Sequence, residues 1–104
     1  MNTHPVTVVR IYLREGEHVL NGLVRFLREE QGIAGLTVFR GILGVGTGGD
    51  LLPASLVDLS LDLPLVVEFF DAPEKVEQVL DSLPHRFALE HVIVFNAAAF
   101  SPKP

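Results

Sequence analysis

The chain has no cysteine, a single methionine and a single tyrosine. Without a thiol it has no disulfide, no thiolate metal ligand and no cysteine nucleophile. No apolar run approaches the roughly 18 residues that a helical membrane span needs, so membrane insertion is not expected. Basic residues are also scarce. Eight Lys and Arg stand against 13 Asp and Glu, a formal net charge of −5. That balance argues against nucleic acid, whose binding draws most of its affinity from phosphate neutralisation. The first residues, Asn2, Thr3, His4 and Pro5, carry no apolar core of signal-peptide type. A cytoplasmic protein is the expectation.

What is present is apolar. Hydrophobic residues make up 48% of the 104 positions, and the mean hydropathy is +0.38. A chain of this length forms one domain, here residues 1–104, and buries about 65% of its unfolded surface. The surplus apolar surface predicts that further copies of the chain cover part of it.

Residues 6–13 read as a strand, with Thr7, Val9, Ile11 and Leu13 on one face and Val6, Val8, Arg10, Tyr12 and Arg14 on the other. From about residue 18 to 31 the pattern turns helical, with Val19, Leu20, Leu23, Val24 and Leu27 recurring at three- and four-residue spacing. Asn21 and Gly22 lower helix propensity, so the helix is expected to begin after them. Phe26 lies at the edge of the apolar stripe, placed either to widen it or to touch a neighbouring subunit. Gly32 is positioned to end the helix. Residues 35–43 form a second strand, 55–60 a short one on a returning arm, and 65–70 a third of β-forming residues interrupted by Glu68. Asp71, Pro73 and Glu74 have the spacing of an N-cap, a first-turn proline and a capping box. The helix they open buries Val76, Val79, Leu80 and Leu83, and Pro84 should stop it. Residues 88–95 make the last strand, and a tail from about 97 to 104 is expected to be mobile. The order β-α-β-β-α-β is the α+β, ferredoxin-like arrangement. It places a four-stranded antiparallel sheet under two helices on one face and leaves the other face open.

On the open face, strand parity gathers Arg10, Tyr12, Arg14, Arg40 and Glu68 among Val6, Val8, Val38, Ile42, Val66 and Phe70. Glu68 is placed to pair laterally with Arg10 and Arg40. Association of such faces into a closed oligomer would cover the apolar residues, the charges fixing subunit orientation. Alternatively Arg10, Arg14 or Arg40 reaches an anionic ligand between subunits.

The densest glycine stretch is Arg40-Gly41-Ile42-Leu43-Gly44-Val45-Gly46-Thr47-Gly48-Gly49-Asp50. Its G-x-G-x-x-G spacing is no dinucleotide motif, because Leu51, Leu52 and Pro53 open no helix after it and the chain is too short for that fold. Asp50 stands where a phosphate-binding P-loop needs Lys. What survives is a nest of backbone N–H groups able to hold a phosphate or carboxylate, or a loop at about residues 44–54 that orders on binding. The candidate ligand-binding residues are Gly44, Gly46, Thr47, Gly48, Gly49 and Arg40. His4, His18, His85 and His91 lack metal-ligand spacing, and no serine sits in a nucleophile elbow. No catalytic residue, metal or cofactor is indicated.

Residues 32–46, Gly-Ile-Ala-Gly-Leu-Thr-Val-Phe-Arg-Gly-Ile-Leu-Gly-Val-Gly, resemble the PII-like "domain of unknown function 190" family. So does a second block, residues 59–68 with Asp71, Glu74, Lys75 and Val76 following. The likeness runs from about residue 8 to 95. It implies a ferredoxin-like subunit of a PII-like homotrimer, in which the loop after the second strand reports nucleotide or metabolite state to a partner protein. The chain departs from the family in a short connection over residues 13–19, an apolar returning arm over 51–59, and no glycine-lysine phosphate loop between Pro84 and Glu90. The expected function is a non-enzymatic, trimeric signalling sensor. It would bind a small anionic ligand between subunits, with an adenine nucleotide among the candidates. Two alternatives are a protein-interaction module acting through the 44–54 loop without a ligand, and a small α+β enzyme with a sheet-cleft site around Arg10, Tyr12 and Glu68.

Overall fold

A computed structural model describes residues 2–45 and 63–102. These residues form strands β1 (Thr3–Arg14), β2 (Gly35–Arg40), β3 (Pro64–Asp71) and β4 (His91–Phe100), with helices α1 (Leu20–Arg25) and α2 (Pro73–Arg86). The sheet order is β2-β3-β1-β4, and every neighbouring pair is antiparallel. The ferredoxin-like α+β architecture expected from the sequence is the one observed.

Alternation along β1 sets the core. Val9 and Ile11 are fully buried, and Thr7 and Leu13 nearly so. The register puts Val9, Ile11 and Leu13 beside Phe69, Val67 and Leu65 of β3. Leu23, Phe26 and Leu27 of the first helical segment and Val76, Val79 and Leu83 of α2 close over that face. β1 starts earlier than expected, at Thr3, because Thr3, His4 and Pro5 pair with Phe100, Ala99 and Ala98. Pairing with β3 ends at Thr7, so Pro5 lies where β3 asks for no N–H, the setting in which a strand tolerates proline. The same pairing corrects the tail: residues 97–100 belong to β4, and the Ser101 amide donates to the Asn2 carbonyl at 2.8 Å.

The first helical segment begins at Leu20 and includes Asn21 and Gly22, against their propensity. The Phe87 ring lies 3.6 Å from where a Cβ on Gly22 would stand, an ordinary van der Waals distance. After Arg25 the helix widens into a π turn (Phe26–Glu30), where the Gln31 amide bonds to the Phe26 carbonyl. Phe26 is buried and meets Phe87 edge to face at 5.6 Å between ring centroids. It widens the apolar stripe. Gly32 ends the segment in the left-handed region, φ 64°, as expected.

Three local expectations are corrected. Asp71 is the last residue of β3 and not an N-cap; Ala72 takes that position and no side chain caps the helix. The Asp71 carboxylate instead accepts from the Ala72 amide at 2.8 Å and the Ala34 amide at 3.0 Å. Pro84 does not stop α2, which runs on to Arg86. The third concerns β2, which ends at Arg40, with Gly41 donating to the Pro64 carbonyl at 2.7 Å. Its register sets Leu36, Val38 and Arg40 against Phe69, Val67 and Leu65 on the helix face, and Thr37 and Phe39 against Glu68 and Val66 on the open face. The expected parity is thus reversed for Val38 and Arg40. Both faces of β2 carry apolar residues, so alternation alone could not choose the register. The strand expected over 55–60 lies outside the described residues.

Candidate functional site

The ends of three strands converge at one end of the sheet. There β1 finishes in Arg14, β3 begins at Pro64, β4 begins at His91, and the chain leaving β2 passes as residues 41–45. Between them lies a cleft of about 380 Å³. One wall is Gly41, Leu43, Gly44 and Val45; another is Tyr12, Leu13, Arg14 and Glu17; Ala88, Leu89, Glu90 and His91 make the third, over a floor of Pro64, Leu65 and Val66.

The turn that follows β1 shapes the second wall. Residues Glu15–Glu17 form one 3₁₀ turn, closed by Glu17 Oε1, which accepts the Arg14 amide at 2.8 Å. His18 leaves it in the left-handed region, φ 58°. The first wall is held by close approach. A Cβ on Gly41 would sit 2.8 Å from Pro64 Cγ, and one on Gly44 would sit 3.1 Å from Pro64 Cβ. Both glycines therefore have a packing reason to be glycine, independent of any ligand.

Of the candidate residues, Gly44 lines the cleft. Gly46, Thr47, Gly48 and Gly49 lie outside the described residues. Arg40 is not among the lining residues; its Nη2 donates to Glu15 Oε1 at 2.6 Å. The expected pairing of Arg40 with Glu68 does not form, because the β2 register carries the two side chains to opposite faces. Glu17 and Glu90 line the cleft without having been singled out in the sequence, and His91, weighed there only as a metal ligand, lines it too. The signal was topological: in this fold the C-terminal end of β1 and the N-terminal end of β4 share one end of the sheet.

The open face is a separate feature. Arg10 Nε donates to Glu68 Oε1 at 2.7 Å, as expected, and the Arg10 guanidinium lies 5.1 Å from the Phe95 ring centroid. The Glu68 hydrogen bond is the main influence holding Arg10 above the usual arginine value. Tyr12, Phe39, Phe70, Ile93 and Phe95 stand partly exposed on this face. Among the described residues no group of three His, Asp or Glu could hold a metal ion, and no helix is long and apolar enough to cross a membrane.

The βαββαβ sheet, with its cleft at the root of the segment after β2, is a PII-like form of the ferredoxin-like fold. The sequence model of the DUF190 family, described as "Uncharacterized ACR", matches residues 6–98, and the chain belongs to that family. The UPF0166 protein MJ1524 of Methanocaldococcus jannaschii is 36% identical over 81 residues, spanning 73% of each chain. A UPF0166 protein of Aquifex aeolicus is 38% identical over 55 residues, 53% of this chain and 52% of its own. Among solved structures, CPII of Thiomonas intermedia, a nitrogen regulatory PII-like protein bound to ADP, AMP and bicarbonate, superposes with a TM-score of 0.70 at 20% identity. It covers 97% of this chain and 93% of its own. A PII-like protein of Thermus thermophilus gives 0.65 at 17% identity, covering 95% and 91%. At such identities these two structures speak for the fold.

Proposed function

We propose that the protein is a non-enzymatic, PII-like signalling sensor that binds a small anionic ligand, an adenine nucleotide by preference, in the cleft at the end of its sheet. The observation that carries this reading is the composition and size of that cleft. Its volume of about 380 Å³ falls within the range of small-molecule sites, roughly 300–1,000 Å³. Arg14 brings positive charge to the walls, the sign a phosphate or carboxylate needs, and Glu17 and Glu90 bring carboxylates. Leu43, Val45 and Leu89 offer apolar contact to a ring. Such mixed walls suit a ligand with a charged end and a polar ring better than a simple anion. The binding of ADP, AMP and bicarbonate by the PII-like CPII supports the same reading.

The aromatic and aliphatic residues exposed on the open face support a homotrimer in which sheets pack face to face, the Arg10–Glu68 pair orienting the subunits. The cleft then lies near a subunit boundary. The catalytic alternative asks for a pocket around Arg10, Tyr12 and Glu68; of these only Tyr12 lines the cleft.

Titration calorimetry with ADP, AMP and bicarbonate tests the ligand claim, with heat expected from a nucleotide and its loss in Arg14→Ala. No heat from any of the three, in protein shown to be folded, would sink it. Light scattering tests the assembly: three chains are expected, and a monomer would refute the account of the open face.

A further inference from the structure

The two ends of the excursion between β2 and β3 are tied to one residue outside it. Glu15 opens the turn that follows β1, directly after Arg14 of the cleft wall. Its amide donates to the Leu63 carbonyl at 2.8 Å, on the returning end. Its carboxylate Oε1 accepts from Arg40 Nη2 at 2.6 Å, on the outgoing end. The Glu15 side chain is 23% exposed against 60% for Arg40, so the carboxylate is the seated partner and the guanidinium comes to it. Arg40 is followed at once by Gly41 and Leu63 by Pro64, and Gly41 and Pro64 face the cleft. They are joined by the hydrogen bond from Gly41 N to Pro64 O at 2.7 Å.

We infer that Glu15 is a positioning residue for the cleft, holding the outgoing wall at Gly41 and the floor at Pro64 in register with Arg14 through its bonds to Arg40 and Leu63. The inference rests on the proposed ligand reading for its functional half. Its structural half stands on the three hydrogen bonds. By linkage, a ligand that needs this register binds more weakly when the clamp is broken and tightens the clamp when it binds.

The test uses the full-length protein and the variants Glu15→Gln, Arg40→Gln and the double variant. Amide hydrogen exchange at residue 15 and Gly41 should quicken roughly fivefold in either single variant, the factor a surface ion pair commands. The double variant should exchange no faster than the singles, because each already breaks the same pair. Calorimetry with ADP should show affinity weakened roughly two- to fivefold in Glu15→Gln, since the clamp cannot transmit more than it is worth. Unchanged exchange at both amides would overturn the inference. So would a uniform rise across the core amides, which marks a merely structural role, or faster local exchange with ADP affinity intact. Should the wild type bind no ADP, the ligand reading fails, and the exchange data alone decide for or against the clamp.

Discussion

Removing the Asp71 carboxylate separates the observed structure from the capping box that its sequence spells. In the structure Asp71 accepts from the amides of Ala34 and Ala72, at 3.0 and 2.8 Å. One carboxylate thereby joins the entry of β2 to the start of α2. Hydrogen bonds to a charged acceptor contribute about 1.5–3 kcal/mol each when shielded. Ala34 and Ala72 are exposed, so water replaces part of what is lost. Asp71→Ala should therefore cost about 1–2 kcal/mol in total, and Asp71→Asn, which keeps one carbonyl oxygen, about half of that. Glu74 is exposed in the first turn and no side chain caps the helix. Glu74→Ala should cost about 0.5 kcal/mol or less, the share of the helix dipole. A capping box would couple the two residues; the observed geometry makes their effects additive to within about 0.5 kcal/mol. Urea denaturation of the two singles and the double variant measures all three quantities. A Glu74→Ala cost equal to that of Asp71→Ala, or a coupling above about 1 kcal/mol, would refute the assignment.

Gly41→Ala should destabilise by about 1–3 kcal/mol, because its Cβ would strike the Pro64 ring, which is fixed to the backbone; the same variant should weaken ADP binding in calorimetry. Glu30 and Arg86 join the ends of the two helical segments through two hydrogen bonds of 2.7 and 2.9 Å. Arg86 holds the Glu30 carboxyl below its ordinary value, so the stability this pair contributes is present in full above the free carboxylate value and is lost as pH falls through the lowered folded one. The urea midpoint of Glu30→Gln should consequently fall less on acidification than that of the wild type, and parallel curves would refute the pairing.

The core and topology were legible in the sequence because charge there is one-sided. Thr7, Val9, Ile11 and Leu13 carry no charge, whereas the other parity sets Arg10, Tyr12 and Arg14 beside Val6 and Val8, so the uncharged parity faces the helices. Leu23 and Leu27, and Val76, Val79 and Leu83, recur at helical spacing for the same reason. The Arg10–Glu68 pair followed from that parity. Where both parities are apolar, as in β2, alternation set Val38 and Arg40 on the wrong face, and pairing with β3 decided that Arg40 faces the helix side and meets Glu15. Asp71 carries an N-cap signature, yet whether its carboxylate caps a helix or joins a strand depends on where Ala34 lies, which is a long-range matter. Phe26 was settled by Phe87, remote in the chain. The glycine stretch shows the division most clearly. Its composition by itself marked the root of a special segment after the second strand. That Gly41 and Gly44 are glycine to admit Pro64, and that the cleft they border draws on Arg14 and His91 from other strand ends and on Glu17 from the turn after β1, was decided only when the sheet brought those ends together.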